Sequence, residues 1–144
     1  MSRTIVVDSS VVVKWMIPEE LSAEAGVVLS EAQAGNADLI APELLVAEVG
    51  NVLWKQHNRG YLSTVEMTHA LSLLHILPIF YTNNNRLIDL ACNLAVAHQR
   101  SVYDMLYVAL SVQQSCLFLT ADKRLVNAVS AILPQVQWIG DWKP

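Results

Sequence analysis

Cysteine is scarce in this chain. Cys92 and Cys116 are the only two in 144 residues and stand well apart, so neither a disulfide framework nor a C-x-x-C metal site is expected. The four histidines, His57, His69, His75 and His98, form no H-E-x-x-H pattern, which argues against a zinc centre. Long apolar runs are missing as well. A membrane span needs about 20 residues, and Asn51, Lys55, His57, His69 and the Asn83-Asn84-Asn85 run interrupt the candidates. No basic region followed by an apolar one of signal-peptide length opens the chain. These absences predict a cytoplasmic protein that enters no membrane. Positive charge is also in short supply: nine lysines and arginines face thirteen acids, a net charge of −4. No global basic field therefore attracts nucleic acid. That speaks against a simple nucleic-acid binder, and less against an enzyme whose acids are neutralised by a bound cation. No repeat, low-complexity tract or linker divides the sequence, and residues 1–144 are expected to form one domain.

What the chain has in excess is apolar side chains. With 53% of residues apolar and 15% charged, it exceeds an average domain on the first count and falls below it on the second. The surplus suggests surface reserved for a partner or for a second copy of the chain. Strand and helix signals alternate in the manner of an α/β domain. Short strands are read over 4–8, 39–41, 79–81 (an edge strand), 116–120 and 136–138, from β-branched or apolar runs bounded by turn residues. A helical stretch starts at Ser9 and stops near Pro18. Further helices are predicted over 22–34, from Pro42 at the first turn to about 58, and over 64–76, 85–98, 102–114 and 122–133. Helices between successive strands imply a central, mostly parallel sheet of about five strands.

Four carboxylates stand at the ends of apolar segments or within them. Asp8 ends the run Ile5-Val6-Val7, and Asp122 follows Cys116-Leu117-Phe118-Leu119-Thr120. Asp104 opens an apolar helix. Glu48 interrupts another, where between Leu44 and Trp54 only Glu48 and Asn51 are clearly polar, three apart and so on one face. Burying an unpaired carboxylate costs several kcal/mol, and a cluster becomes tolerable with a divalent cation among its members. In an open parallel sheet ligands bind beyond the carboxyl ends of the strands where strand order reverses, a place that all four acids can reach. Each aspartate also has an ordinary explanation. Ser101-Val102-Tyr103-Asp104 fits a capping box, while Asp8 and Asp122 are suitable N-caps. The tryptophans are read as packing or interface residues, and Lys123-Arg124, beside Asp122, as the best candidates for phosphate contacts.

The segments Ile5-Val6-Val7-Asp8-Ser9-Ser10, Glu48-Val49-Gly50-Asn51, Tyr103-Asp104-Met105-Leu106-Tyr107-Val108-Ala109-Leu110 and Leu119-Thr120-Ala121-Asp122-Lys123-Arg124-Leu125, in this order and spacing, resemble the PIN-domain nucleases. The likeness is closest to the toxin ribonucleases of VapC type. The resemblance implies an acidic quartet, Asp8, Glu48, Asp104 and Asp122, holding Mg²⁺ or Mn²⁺, with Ser9 and Thr120 at the hydroxyl positions and Asn51 at a polar supporting one. It implies metal-assisted hydrolysis of RNA phosphodiester bonds, a cognate antitoxin and a homodimer. Lys123 and Arg124 stand where some relatives carry a further acid, which leaves the number of metal ions open. Three other readings compete. A haloacid-dehalogenase-type phosphatase needs a second aspartate two residues after the first, and Ser10 stands there. A noncatalytic PIN module usually lacks some of the acids. An RNA-processing nuclease without an antitoxin fits the same residues.

Overall fold

Ile5, Val6 and Val7 are fully buried although successive side chains of a strand point to opposite faces. Both faces of the sheet are therefore covered at its centre. Fully burying each such side chain stabilises by about 1.5–3 kcal/mol, which fixes this run as the central strand. In a computed structural model describing residues 2–144, that strand is β1 (Arg3–Val7) of a five-stranded sheet. The others are β2 (Ala37–Pro42), β3 (Ile79–Thr82), β4 (Leu117–Thr120) and β5 (Val136–Trp138), in the order β3-β2-β1-β4-β5. All four pairings are parallel, as the intervening helices require. The chain runs outward from β1 through β2 to β3, then returns to the opposite side of β1 for β4. Strand order thus reverses between β1 and β4.

Among the described residues, seven helices flank this sheet: α1 (Ser9–Val12), α2 (Ser22–Gln33), α3 (Leu44–Asn58), α4 (Thr64–Ile76), α5 (Ile88–His98), α6 (Val102–Gln114) and α7 (Lys123–Val129). Short 3₁₀ turns extend α1 over Val13–Trp15 and precede α5 at Asn84–Arg86. Helix α6 is the inner one. Every residue from Met105 to Ser111 is buried, and the helix packs on α5, β1, β2 and β4. None of the described helices is long and apolar enough to cross a membrane.

Several boundaries differ from the sequence reading, such as the start of α5 at Ile88 and not at 85, and two of them have a visible cause. Pro42, expected in the first turn of α3, instead ends β2, opposite Thr82 of the edge strand. Pairing with β1 stops at Ile40, so the missing proline N–H deprives no neighbour there. The first α3 amide, at Leu44, is met at 3.3 Å by the Asn84 side chain. Helix α7 ends at Val129 and not at 133. The amides of Ile132 and Leu133 both turn back to the Val129 carbonyl, and the residue before Pro134 is pushed out of helical geometry.

Candidate active site

The β1–β4 register pairs Val7 with Leu119, so Asp8 and Thr120 become neighbours at the reversal of strand order. Thr120 Oγ1 donates to Asp8 Oδ2 at 2.6 Å, and Ser10 Oγ donates to Oδ1 at 2.5 Å. Each hydroxyl also accepts a backbone N–H, Thr120 from Asp122 and Ser10 from Ala121, both at 3.0 Å. That leaves both hydroxyl protons for the carboxylate. Asp8 Oδ1 further accepts the Val11 amide and caps α1. With only 7% of its surface exposed, Asp8 has its carboxyl pushed from 3.8 up to about 6. Burial is the main cause and the Glu48 charge adds to it, against the pull of three hydrogen bonds. A rise of that size corresponds to about 3 kcal/mol. The neighbouring apolar strand offsets this easily.

Glu48 enters from α3, whose start Asn84 ties to the loop before α5. Its carboxyl is also raised, by burial first and then by Asp104, while hydrogen bonds from Tyr107 and Ser9 support the charged form. Tyr107 donates to Glu48 Oε1 at 2.5 Å. Its ring lies stacked on Phe118 with centroids 5.8 Å apart. Burial and the Glu48, Asp8 and Asp104 charges all raise the Tyr107 phenol, so it stays protonated and can only donate to Glu48. Tyr107→Phe keeps the stacking and removes that donor. It should lower stability by about 1–2 kcal/mol, because the lost bond serves a charged acceptor. Urea unfolding would measure this, and an unchanged midpoint would mean that Glu48 does not depend on Tyr107.

Asp104 and Asp122 complete the group through an arginine. The Ser101 hydroxyl accepts the Asp104 amide at 3.1 Å, one half of the expected capping box. The Asp104 carboxylate turns instead to Arg100, whose Nη2 lies 3.1 Å away. The same nitrogen is 3.8 Å from Asp122 Oδ2, while Asp122 Oδ1 caps α7 through the Leu125 amide. The four acids therefore form one connected set, Asp8 to Glu48 to Asp104 by mutual repulsion and Asp104 to Asp122 across Arg100. Beside them opens a cleft of about 380 Å³, lined in part by Ser9, Ser10 and Asp122 and by Lys14 and Glu19, which form an ion pair at 2.7 Å.

Other residues singled out from the sequence lie further out. Asn51 is exposed and makes no side-chain hydrogen bond to the described residues, so its shared face with Glu48 does not bring it among the acids. Arg124 is exposed, and Lys123 holds its ammonium 4.4 Å from the centre of the Trp138 ring. That ring can lie where it does because position 140 is glycine; a Cβ there would come within 2.1 Å of it. Trp15 is a packing residue, bonded to the Ala25 carbonyl. Three site residues escaped the sequence reading: Ser10, Arg100 and Tyr107. Tyr107 follows Asp104 by three residues within α6, a spacing that puts both on one helical face, whereas Arg100 lies in the turn before the Ser101 cap, where helical spacing gives no signal.

A family model described as PIN domain matches residues 5–130. The chain belongs to the PIN domain family. This PIN domain is 32% identical over 131 residues to Ribonuclease VapC3 of Pyrobaculum aerophilum, covering 90% of this chain and 97% of that protein. It is 36% identical over 89 residues to Ribonuclease VapC1 of Mycobacterium tuberculosis, covering 61% of this chain and 65% of the relative. Among solved structures, PAE2754 from Pyrobaculum aerophilum shares the fold with a TM-score of 0.65 at 17% identity, over 97% of this chain and 93% of that one. Mycobacterium tuberculosis VapC20, described as a Sarcin-Ricin loop cleaving toxin, matches with a TM-score of 0.65 at 14% identity, over 87% and 95%.

The donors of the PIN domain suit a hard divalent cation, being carboxylate and hydroxyl oxygens without sulfur or imidazole. Among the described residues, no three Asp, Glu, His or Cys side chains converge into a ready cage. Mg²⁺ does not need one, since it is commonly held by one or two carboxylates and keeps several waters.

Proposed function

We propose that this PIN domain is a Mg²⁺- or Mn²⁺-dependent endoribonuclease and the toxin of a toxin–antitoxin pair. The observation that carries the reading is the connected set Asp8, Glu48, Asp104 and Asp122 beyond the carboxyl ends of β1 and β4, on a chain whose relatives bear the name ribonuclease. The bound cation would supply Lewis-acid activation of the phosphodiester and of the attacking water. Asp8 and Asp104 would hold it directly, with Glu48 and Asp122 as further ligands or as acceptors for its waters. Thr120 and Ser10 keep Asp8 oriented by donating to both of its oxygens. Tyr107 does the same for one oxygen of Glu48. Lys123 and Arg124, on the rim beside Asp122, would bind RNA phosphates.

Antitoxin and dimer contacts would draw on exposed apolar side chains, among them Val65, Ile76 and Val96, each more than three-quarters exposed. An apolar groove of about 410 Å³ bordered by Met16, Ile17, Leu62, Val65 and Leu73 is of a kind that a helix could fill. Purified without partner, the protein should cut RNA internally when Mg²⁺ or Mn²⁺ is present and stop in EDTA. Cleavage that persists in EDTA would overturn the metal mechanism. A fully metal-loaded protein that cuts no RNA would overturn the nuclease reading. Expression alone should slow growth of the host, and a variant silent on RNA should not.

A further inference from the structure

Arg100 is hard to explain as a structural brace. An arginine that ties two carboxylates together for stability uses its planar fork, with two parallel donors on each partner. Here one nitrogen, Nη2, makes a single bond to Asp104 at 3.1 Å and stands 3.8 Å from Asp122, beyond hydrogen-bond reach. Nε is buried and has no partner among the described residues, although buried donors are almost always satisfied. The side chain is 26% exposed. Its position is nevertheless imposed by the fold. Arg100 lies in the short turn between α5 and α6, two helices in extensive contact, directly after Gln99 in the left-handed conformation at φ 53°. Non-glycine residues adopt that geometry only when their surroundings require it. Among the described residues, no other lysine or arginine forms an ion pair with any of the four acids.

We infer that Arg100 is the internal counter-ion of the acidic site, occupying between Asp104 and Asp122 the charge position of a divalent cation. Cation binding must therefore turn the guanidinium away from the carboxylates. The inference rests on the proposed metal-dependent reading and concerns its affinity. A positive charge between the carboxylates repels an incoming cation, and the ion pairs Arg100 makes have to be given up as the cation enters. Full use of the guanidinium fork would have made that exchange strongly unfavourable. The single bond at 3.1 Å and the unpartnered Nε keep its cost low.

The test is calorimetric titration of Mn²⁺ into EDTA-treated, dialysed full-length protein without RNA, for wild type, Arg100→Met, Arg100→Gln and Asp8→Asn. Both Arg100 variants should bind Mn²⁺ about tenfold more tightly than wild type, the size typical of coupled competing sites, and Asp8→Asn should bind much more weakly. Equal affinity within about twofold for wild type and Arg100 variants would overturn the inference and leave the metal reading standing. Weaker binding by the variants would also overturn it, since Arg100 would then organise the ligands instead of competing with the ion. If wild type and both variants bind no Mn²⁺, the metal reading falls and this inference with it. Should neither Arg100 variant fold, wild type still decides. Saturating Mg²⁺ should shift the Arg side-chain Nε–H resonance belonging to Arg100 in a nitrogen-15 correlation spectrum, and a resonance unmoved at saturation would overturn the inference.

Discussion

Asp8→Asn should cleave RNA at least about a hundredfold more slowly than wild type, and Asp104→Asn likewise, a loss of about 2.7 kcal/mol or more of transition-state stabilisation. Asparagine is as good an N-cap as aspartate, so the substitution at Asp8 leaves the Val11 amide bonded to the side-chain oxygen, while it removes the charge and replaces Oδ2, the acceptor of the Thr120 hydroxyl, by an amide nitrogen. The two roles of the residue, helix cap and cation ligand, are separated by that one change. At Asp104 the Ser101 hydroxyl still receives the backbone amide, and the charge facing Arg100 is what disappears. Initial rates on a labelled RNA over a range of Mn²⁺ concentrations, with thermal melts to confirm folding, decide the matter. Folded variants that retain wild-type rates would reduce these aspartates to caps. Rates restored by high Mn²⁺ would locate the loss in cation binding, and rates that stay low at saturation would locate it in the reaction itself.

The second large effect is on stability in metal-free protein. Asp8 has a folded-state pKa of about 6 against 3.8 unperturbed. Between those values the folded state holds a proton that the unfolded state has released. Stability therefore falls as pH rises from about 4 to about 6, by about 3 kcal/mol in total, and the penalty persists at neutral pH. Glu48 is shifted in the same direction and steepens the slope. Asp8→Asn has no proton to lose. In EDTA at pH 7 it should be more stable than wild type by about 1–2 kcal/mol, once the lost Thr120 hydrogen bond and the weaker one from Ser10 are allowed for. At pH 4 the advantage should vanish or reverse, because wild-type Asp8 is then neutral. Urea unfolding of both proteins at the two pH values measures the difference directly. A variant destabilised equally at both would show that the Asp8 carboxyl is not raised.

Much of this molecule could be read from residue order. Ile5-Val6-Val7 and Leu117-Phe118-Leu119 read as buried strands from their short length, their β-branched and apolar content and the turn residues that bound them. The helix over 102–114 was marked at its start by local chemistry, with Ser101 at its cap. Errors fell at Pro42 and beyond Val129, where a neighbouring strand and a single carbonyl, remote from any local pattern, settled the boundary.

The sequence by itself also determined which residue types are available: oxygen ligands in quantity, no clustered thiols or imidazoles, and acids placed where apolar segments end. Only the tertiary structure decided what those acids touch. That Thr120 and Ser10 direct their protons to Asp8 depends on the β1–β4 register, that Tyr107 holds Glu48 on how α6 and α3 are placed on the sheet, and that Arg100 stands between Asp104 and Asp122 on the turn between α5 and α6. Periodicity places a residue on a face of its own element. Charge pairing across a site needs distances of about 3–4 Å between side chains on different elements, and those distances exist only once the sheet and its helices have packed.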